Sequence, residues 1–472
     1  MSRWARSTSA LRIAVAAAAV VSAAAFTSAA GAVSQPVTAR HAATTGAAGA
    51  SSPGLRTRGP NRPRQSGDPA DWPMFHADPT HSGISPETAI GTANAASLTA
   101  GWTATLGTTS YDSPVVATSS TLGEAVVYAA AQSHLYAYPA TGGSPIWTFK
   151  TGKGGGAIDS SPAVFNGVAY VASSVGTIYA LNASTGAQLC SFSTGGQLIQ
   201  ASPVVVSDPD GSGPVLYVGT DPPSGAGAEY AVYGAGNTHG ACTQDWAFTS
   251  WAVADSGSWS PPAYGTDSKG NPLLVFGSVG PDDGVYALNA STGALDWRYQ
   301  TSKVDSFDVG AGPTISAPGN NGFASGVVYV TGKDKVVYAL NLTTGRKIWS
   351  YSLVKNSNAD VSTAALDGNA LYVGSNDGVY ALNATTGALI WQALTGPTFY
   401  ASPAITGPAG QQVLVIGDNA GNLYALSLAD GSTLWTARPN TVGFWASPAI
   451  SQGTIYTVGI DGVLRTYAPS GS

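Results

Sequence analysis

The residues best suited to chemistry in this chain stand just ahead of a recurring Ser-Pro pair or its relic. Tyr111 and Asp112 precede Ser113-Pro114, Asp159 precedes Ser161-Pro162, Gln200 precedes Ser202-Pro203, and Trp259 precedes Ser260-Pro261. Asp308 then leads to Gly312-Pro313, Asp360 to Ser362-Thr363, Tyr400 to Ser402-Pro403 and Trp445 to Ser447-Pro448. Interleaved aromatics and carboxylates suit a small polar or cyclic ligand, which the rings stack and the acids hydrogen-bond. The five histidines, His41, His76, His81, His134 and His239, have no zinc-ligand spacing. The chain has no Gly-x-Ser-x-Gly elbow, Gly-x-Gly-x-x-Gly fingerprint or Walker loop. Asp208-Pro-Asp-Gly-Ser-Gly213 starts like a calcium loop but lacks the later acidic ligand, so it reads as a turn. No metal site is assigned.

These positions are spaced by a repeat. Its clearest copy runs Leu371-Tyr-Val-Gly374, Asn376-Asp-Gly378, Tyr380-Ala-Leu-Asn-Ala-Thr-Thr-Gly387 and Trp391. Copies recur around Tyr179, Tyr286, Tyr338 and Tyr424, with looser ones at Tyr136, Tyr230 and Tyr467, eight in all. From Ser113 to Ser447 the step averages about 48 residues, a period of propeller blades. Short β-branched and aromatic runs alternate with turn signals, which gives four strands per unit and almost no room for a helix. The fourth strand carries Trp147, Trp246, Trp297, Trp349, Trp391 or Trp435, and in the second repeat Cys190 takes that position. Trp102 precedes the first repeat, whereas the last repeat has no tryptophan strand of its own. The fold class is therefore all-β: an eight-bladed β-propeller of four-stranded blades, closed by an N-terminal strand that completes the last blade and removes an exposed edge. Those seven tryptophans are read as docking blade to blade. The loop entering each innermost strand should face the central channel, which makes Tyr111, Asp159, Gln200, Trp259, Lys335, Tyr400 and Trp445 the ligand-binding mouth.

Only 10% of the 472 residues are charged, while Gly reaches 59 and aromatics 9%, a composition that argues against helical bundles and coiled coils. All eight charges before Asp68 are arginines; removing them from 20 leaves 12 basic against 26 acidic residues, a body of net −14. Such a body repels phosphate backbones, so no nucleic-acid partner is expected. Residues 1–32 read as a Sec-type signal peptide, with an arginine-bearing start, an apolar Ile13 to Phe26 stretch and a small-residue end at Ala30-Gly-Ala32. The mature chain is then secreted or extracellular and not membrane-spanning. Residues 33–67 read as a disordered linker, 68–100 as a leader or cap, and 101–469 as the propeller.

The unit Tyr-Ala-Leu-Asn-Ala-x-Thr-Gly-x-x-x-Trp resembles the pyrroloquinoline-quinone (PQQ) type β-propeller repeat, and Asp71-Trp-Pro-Met-Phe75 through Ser85-Pro86 looks like the leader of such propellers. The resemblance implies fold more than function, because these repeats occur in quinoprotein alcohol dehydrogenases, in a scaffold of outer-membrane assembly and in exported proteins of other roles. For a dehydrogenase it implies PQQ and calcium: quinone stacked on Trp259 or Trp445, calcium on mouth carboxylates, Asp308 or Asp360 as catalytic base, and Lys333 or Lys335 on a quinone oxygen. Two departures count against that assembly. Such enzymes have a disulfide of adjacent cysteines facing the quinone, while this chain has only Cys190 and Cys242, and no Cys-x-x-Cys-His for haem.

The reading is thus an exported binding or scaffolding module that takes a small-molecule, polymer or protein ligand at its mouth, with a PQQ- and calcium-dependent dehydrogenase as the alternative and a glycan-binding propeller third. A monomer is expected. Cys190 and Cys242 are 52 residues apart, about one repeat, and fall in or beside the fourth strands of successive blades at the outer rim, so a disulfide is expected.

Overall fold

The computed structural model describes residues 71–471 apart from 196–198, 222–224, 302–307, 354–361 and 441. The signal-peptide and linker assignments, and Asp360, lie outside these residues. The remainder forms eight four-stranded antiparallel sheets, with two short 3₁₀ turns. In blade 1 the strands run from the channel outwards as Val115–Ser119, Glu124–Ala131, His134–Pro139 and Trp147–Lys150. Blades 2 to 7 follow in the same order over 163–193, 204–248, 263–300, 314–352, 365–393 and 404–437. Blade 8 takes three strands from 449–469 and its outermost strand, Leu98–Thr105, from the other end of the chain. The ring is an eight-bladed propeller closed by an N-terminal strand.

The middle strands of each blade read as unbroken apolar runs because blades stack face to face and bury both sides. Val285, Tyr286, Ala287 and Leu288 are all fully buried. Outermost strands face solvent on one side and alternate instead, as in Gln188–Ser193, where half-buried Cys190 and Phe192 stand between exposed neighbours.

Six of the eight joints between blades are fastened at the outer edge by one device. The tryptophan stands opposite the alanine of Tyr-Ala, as in Ala137↔Trp147, Ala287↔Trp297 and Ala381↔Trp391. Its indole N–H donates to a turn carbonyl of the next blade: Trp147 to Ala183 (3.0 Å), Trp246 to Ala290 (3.0 Å) and Trp297 to Leu342 (2.9 Å). Trp349 likewise reaches Ala384, Trp391 reaches Leu428, and Trp102 of the closing strand reaches Ala140 of blade 1. The ring lies on the repeat's turn glycine, where a Cβ on Gly186, Gly293, Gly345, Gly387 or Gly431 would come within 2.5–2.7 Å of indole atoms. These glycines also take φ of +65 to +73°, so the Thr-Gly of the repeat serves both a left-handed turn and a seat for the neighbour's tryptophan. Trp435 packs edge-to-face on Tyr467 of blade 8, at 5.2 Å. Between blades 2 and 3 the fastening is covalent. Cys190, paired with Ala180 where a tryptophan otherwise stands, is disulfide-bonded to Cys242, with Cα atoms 5.9 Å apart.

The inner edge has its own fastening, which explains the Ser-Pro marks. The backbone N–H of Ser113 donates to the Ser161 hydroxyl (3.0 Å) and that of Ser161 to Ser202 (3.0 Å). Gly312 donates to Thr363, Thr363 to Ser402, Ser402 to Ser447, and Ser447 back to Ser113 (2.9 Å). This hydroxyl belt spans six of the eight joints. At blade 4 the Ser260 hydroxyl instead donates to the Ala311 carbonyl.

The leader runs inside the ring. Trp72 pairs with Val116 of blade 1, and Pro73, Pro79, Thr80, Ser82 and Gly83 accept from the inner-strand N–H groups of Val164, Tyr264, Ile315, Leu366 and Ile405. The inner strands of six blades, otherwise unpaired towards the channel, are thereby satisfied. His76 and His81 belong to this lining: both are buried, His76 between the carbonyls of His81 (2.8 Å) and Pro403 (2.9 Å), His81 against that of Pro313 (3.0 Å).

Candidate functional site

Loops that enter the innermost strands share one end of the ring with the hairpins joining each blade's two middle strands, and this end is the mouth. Two clusters form there. In the first, at blades 4 and 5, the Lys333 ammonium lies 4.8 Å from the centre of the Trp259 ring and 2.9 Å from Asp308 Oδ2. The other Asp308 oxygen accepts the Gly280 N–H (2.8 Å), and its carbonyl accepts the Lys333 N–H (3.1 Å). Cation, carboxylate and aromatic face are mutually engaged. Of the two lysines in that hairpin, Lys333 is the one that meets Asp308 and Trp259; Lys335 is half-buried in the turn, with φ +65°.

In the second cluster, three consecutive blades contribute an aromatic arc. Trp445 of blade 8 lies edge-on to Tyr400 of blade 7 (5.3 Å) and tilted against Tyr111 of blade 1 (4.8 Å). Tyr111 is 44% exposed, whereas Phe399 and Phe444, one residue before Tyr400 and Trp445, are fully buried. The belt serines Ser113, Ser402 and Ser447 follow each aromatic by two residues, so the arc is carried on anchored loops. Beside it opens a pocket of ≈ 210 Å³ lined by Thr109, Ser110, Tyr111, Gln132, Ala157, Ile158 and Asp159. Burial raises the Asp159 carboxyl above its usual range, and pushes Asp112 well above its own, helped by the charge of Asp159. Asp112 is buried behind the arc and its Oδ2 has no hydrogen-bond partner. Gln200 is half-buried in the loop entering blade 3.

The irregular stretch 221–259 contributes less to the mouth than its aromatic content suggests. Trp246 is a blade dock, Trp251 packs against Phe248, Phe276 and Tyr286 with its N–H on the Gly227 carbonyl, and Trp259 is the one of the three that meets Lys333. His239 pairs with Asp210 (2.7 Å) at the opposite end of the blade. Among the described residues, no group of three His, Cys, Asp or Glu could hold a metal ion, and no helix is long and apolar enough to cross a membrane.

One group escaped the sequence reading. Glu229 precedes Tyr230 where six of the other blades place Leu135, Ile178, Val285, Val337, Val379 and Leu423, all buried aliphatics. It is fully buried with neither carboxyl oxygen hydrogen-bonded, and burial pushes it well above the usual carboxyl range. Aligning the looser Tyr-Ala-Val copy on the clear ones exposes the mismatch. The folded chain thus holds a proton that the unfolded chain releases above about pH 4.3, and stability falls as pH rises from there. Glu229→Leu is expected to stabilise by about 2 kcal/mol at pH 7, with a gain that shrinks towards pH 4. Urea midpoints measured at both pH values check the sign.

Eight four-stranded blades, tryptophan-on-glycine joints and a mouth of aromatics and acids define a PQQ-type repeat propeller. The family model described as outer membrane protein assembly factor BamB matches residues 131–238, 249–402 and 375–471, and the chain belongs to that family of PQQ-like propellers. The fold is similar to a europium-containing methanol dehydrogenase (TM-score 0.68, 16% identity, covering 83% of this chain and 90% of that one). It is also similar to the quinohemoprotein alcohol dehydrogenase of Comamonas testosteroni (0.67, 15%, 85% and 81%). BamB of Moraxella catarrhalis aligns with TM-score 0.59 and 18% identity over 79% of this chain and 98% of its own. No curated protein matches the sequence.

Proposed function

We propose that this chain is an exported ligand-binding or scaffolding propeller whose mouth recognises its ligand without redox chemistry. The observation that carries the reading is the arc Tyr400, Trp445 and Tyr111 beside the Asp159 pocket: aromatic surface held towards solvent on loops the belt anchors. Tyr111 is exposed and Tyr400 and Trp445 are half-buried, and aromatics on rigid supports bind at low ordering cost.

The residues do not fit PQQ with calcium. The Trp259 face that would stack the quinone carries the Lys333 ammonium, itself held by Asp308, the acid that would act as base. The cysteines are joined at the outer rim, and no three-ligand group stands among the described residues. What favours the dehydrogenase reading is that Trp259, Asp308 and Lys333 do converge, so both readings are tested together. Added PQQ and calcium are expected to leave the melting temperature unchanged, since only a ligand of the native state raises it. Reconstituted protein is expected to show no dye-linked alcohol oxidation. Turnover that vanishes in Asp308→Ala would overturn the proposal.

A further inference from the structure

We propose that the mouth across blades 7, 8, 1 and 2 binds an uncharged oligosaccharide, with sugar rings stacked along Tyr400, Trp445 and Tyr111 and one unit's hydroxyls in the Thr109, Gln132 and Asp159 pocket. This rests on the binding reading above and names its ligand class. Three features converge on it.

The first is shape. Centroid spacings of 5.3 and 4.8 Å, at interplanar angles of 74° and 34°, pack three rings from three blades into one contiguous aromatic patch along the mouth, broader than a single ring offers. The second is size. The pocket beside this patch, ≈ 210 Å³, is smaller than the roughly 300–1,000 Å³ of sites for drug-sized molecules, and suits a single substituted ring. The third is polarity. Its lining alternates the Tyr111 ring and Ile158 with Thr109, Ser110, Gln132 and Asp159, which matches a ring carrying C–H on its faces and hydroxyls on its rim.

Charge separates this ligand from its rivals. A body of net −14 and the acid in the pocket disfavour an anionic polymer. To a cationic ligand the pocket offers a single lining carboxylate, Asp159, whose charged form burial disfavours. Neutral hydroxyls are then the best-matched donors. The cleft of Lys150 and Lys153 is lined by the preceding residues of the same entry loop and by Ser133 beside Gln132, so it adjoins the pocket on the side away from Tyr111.

The test is titration of the purified chain with cellohexaose, chitohexaose and, as an anionic comparison, a hexauronate, followed by tryptophan fluorescence and calorimetry. Saturable binding of a neutral hexaose is expected. It should weaken at least about tenfold, or 1.4 kcal/mol, in Tyr111→Ala and in Trp445→Ala. Tyr111→Phe should retain it, and so should Leu389→Ala, which removes a comparably exposed apolar side chain from the outer strand of blade 6. Preference for the hexauronate, no response to either neutral hexaose, or binding untouched in both alanine variants would overturn the inference. Because the quinone assay reads turnover and this one reads association, failure here without turnover there removes only the sugar.

Discussion

A chain that begins at Thr108 is expected to lose cooperative unfolding and to aggregate, while one that begins at Arg64 melts as a single ring. The shorter chain lacks Leu98–Thr105, whose partners run from Leu98↔Pro469 to Thr105↔Val463, so the Val463–Pro469 strand becomes an open edge. It also loses the Trp102 dock on blade 1. With the leader go the bonds to the inner strands of six blades and the buried side chains of Trp72, Met74, Ile90 and Leu98. Burying each such side chain contributes roughly 1.5–3 kcal/mol, so four of them alone approach the total stability of an ordinary domain. Coincident melting curves for the two chains would refute the closure.

Removing the disulfide is the second large effect. The bond closes a loop whose ends are 52 residues apart, and in the chain-entropy model opening it costs about 4 kcal/mol. Cys190 stands in the tryptophan position of its blade, so reduction also leaves the joint of blades 2 and 3 without an outer fastening of the kind the other joints have. The Cys190→Ala, Cys242→Ala double variant should therefore unfold at distinctly lower urea, and unreduced protein treated with dithiothreitol should match it. Equal midpoints with and without the bond would contradict this account.

The repeat was legible because one geometric unit is used eight times. Tryptophan, turn glycine and Tyr-Ala alternation each mark a fixed register, so counting Trp102 against the tryptophan missing after Tyr467 was enough to predict how the ring closes. The Ser-Pro marks were visible too, but their reason was not: a backbone N–H reaching a hydroxyl of the next blade is a contact between residues about 40 to 50 positions apart. The mouth was legible only as a face. Spacing alone puts Tyr111, Trp445 and Tyr400 on a par with Gln200 and does not tell that three rings meet while Gln200 sits apart. It also could not choose Lys333 over Lys335, which the hairpin geometry decides. The leader's path inside the channel left no trace, since its bonds run through backbone groups that every residue has.

The closing strand imposes an order in time. Leu98 and its partner Pro469 are separated by nearly the whole propeller, so the pair forms only once the last strand has been synthesised. Contacts at such separation slow folding, and until they form the chain displays an unpaired strand at one end and a three-stranded blade with an open edge at the other. Earlier blades are able to build their own hairpins, but the leader finds its complete set of partners only when inner strands as late as Ile405 are present. The first described residues to be made are therefore among the last to be fixed, and the interval between belongs to whatever keeps those two ends apart from other chains.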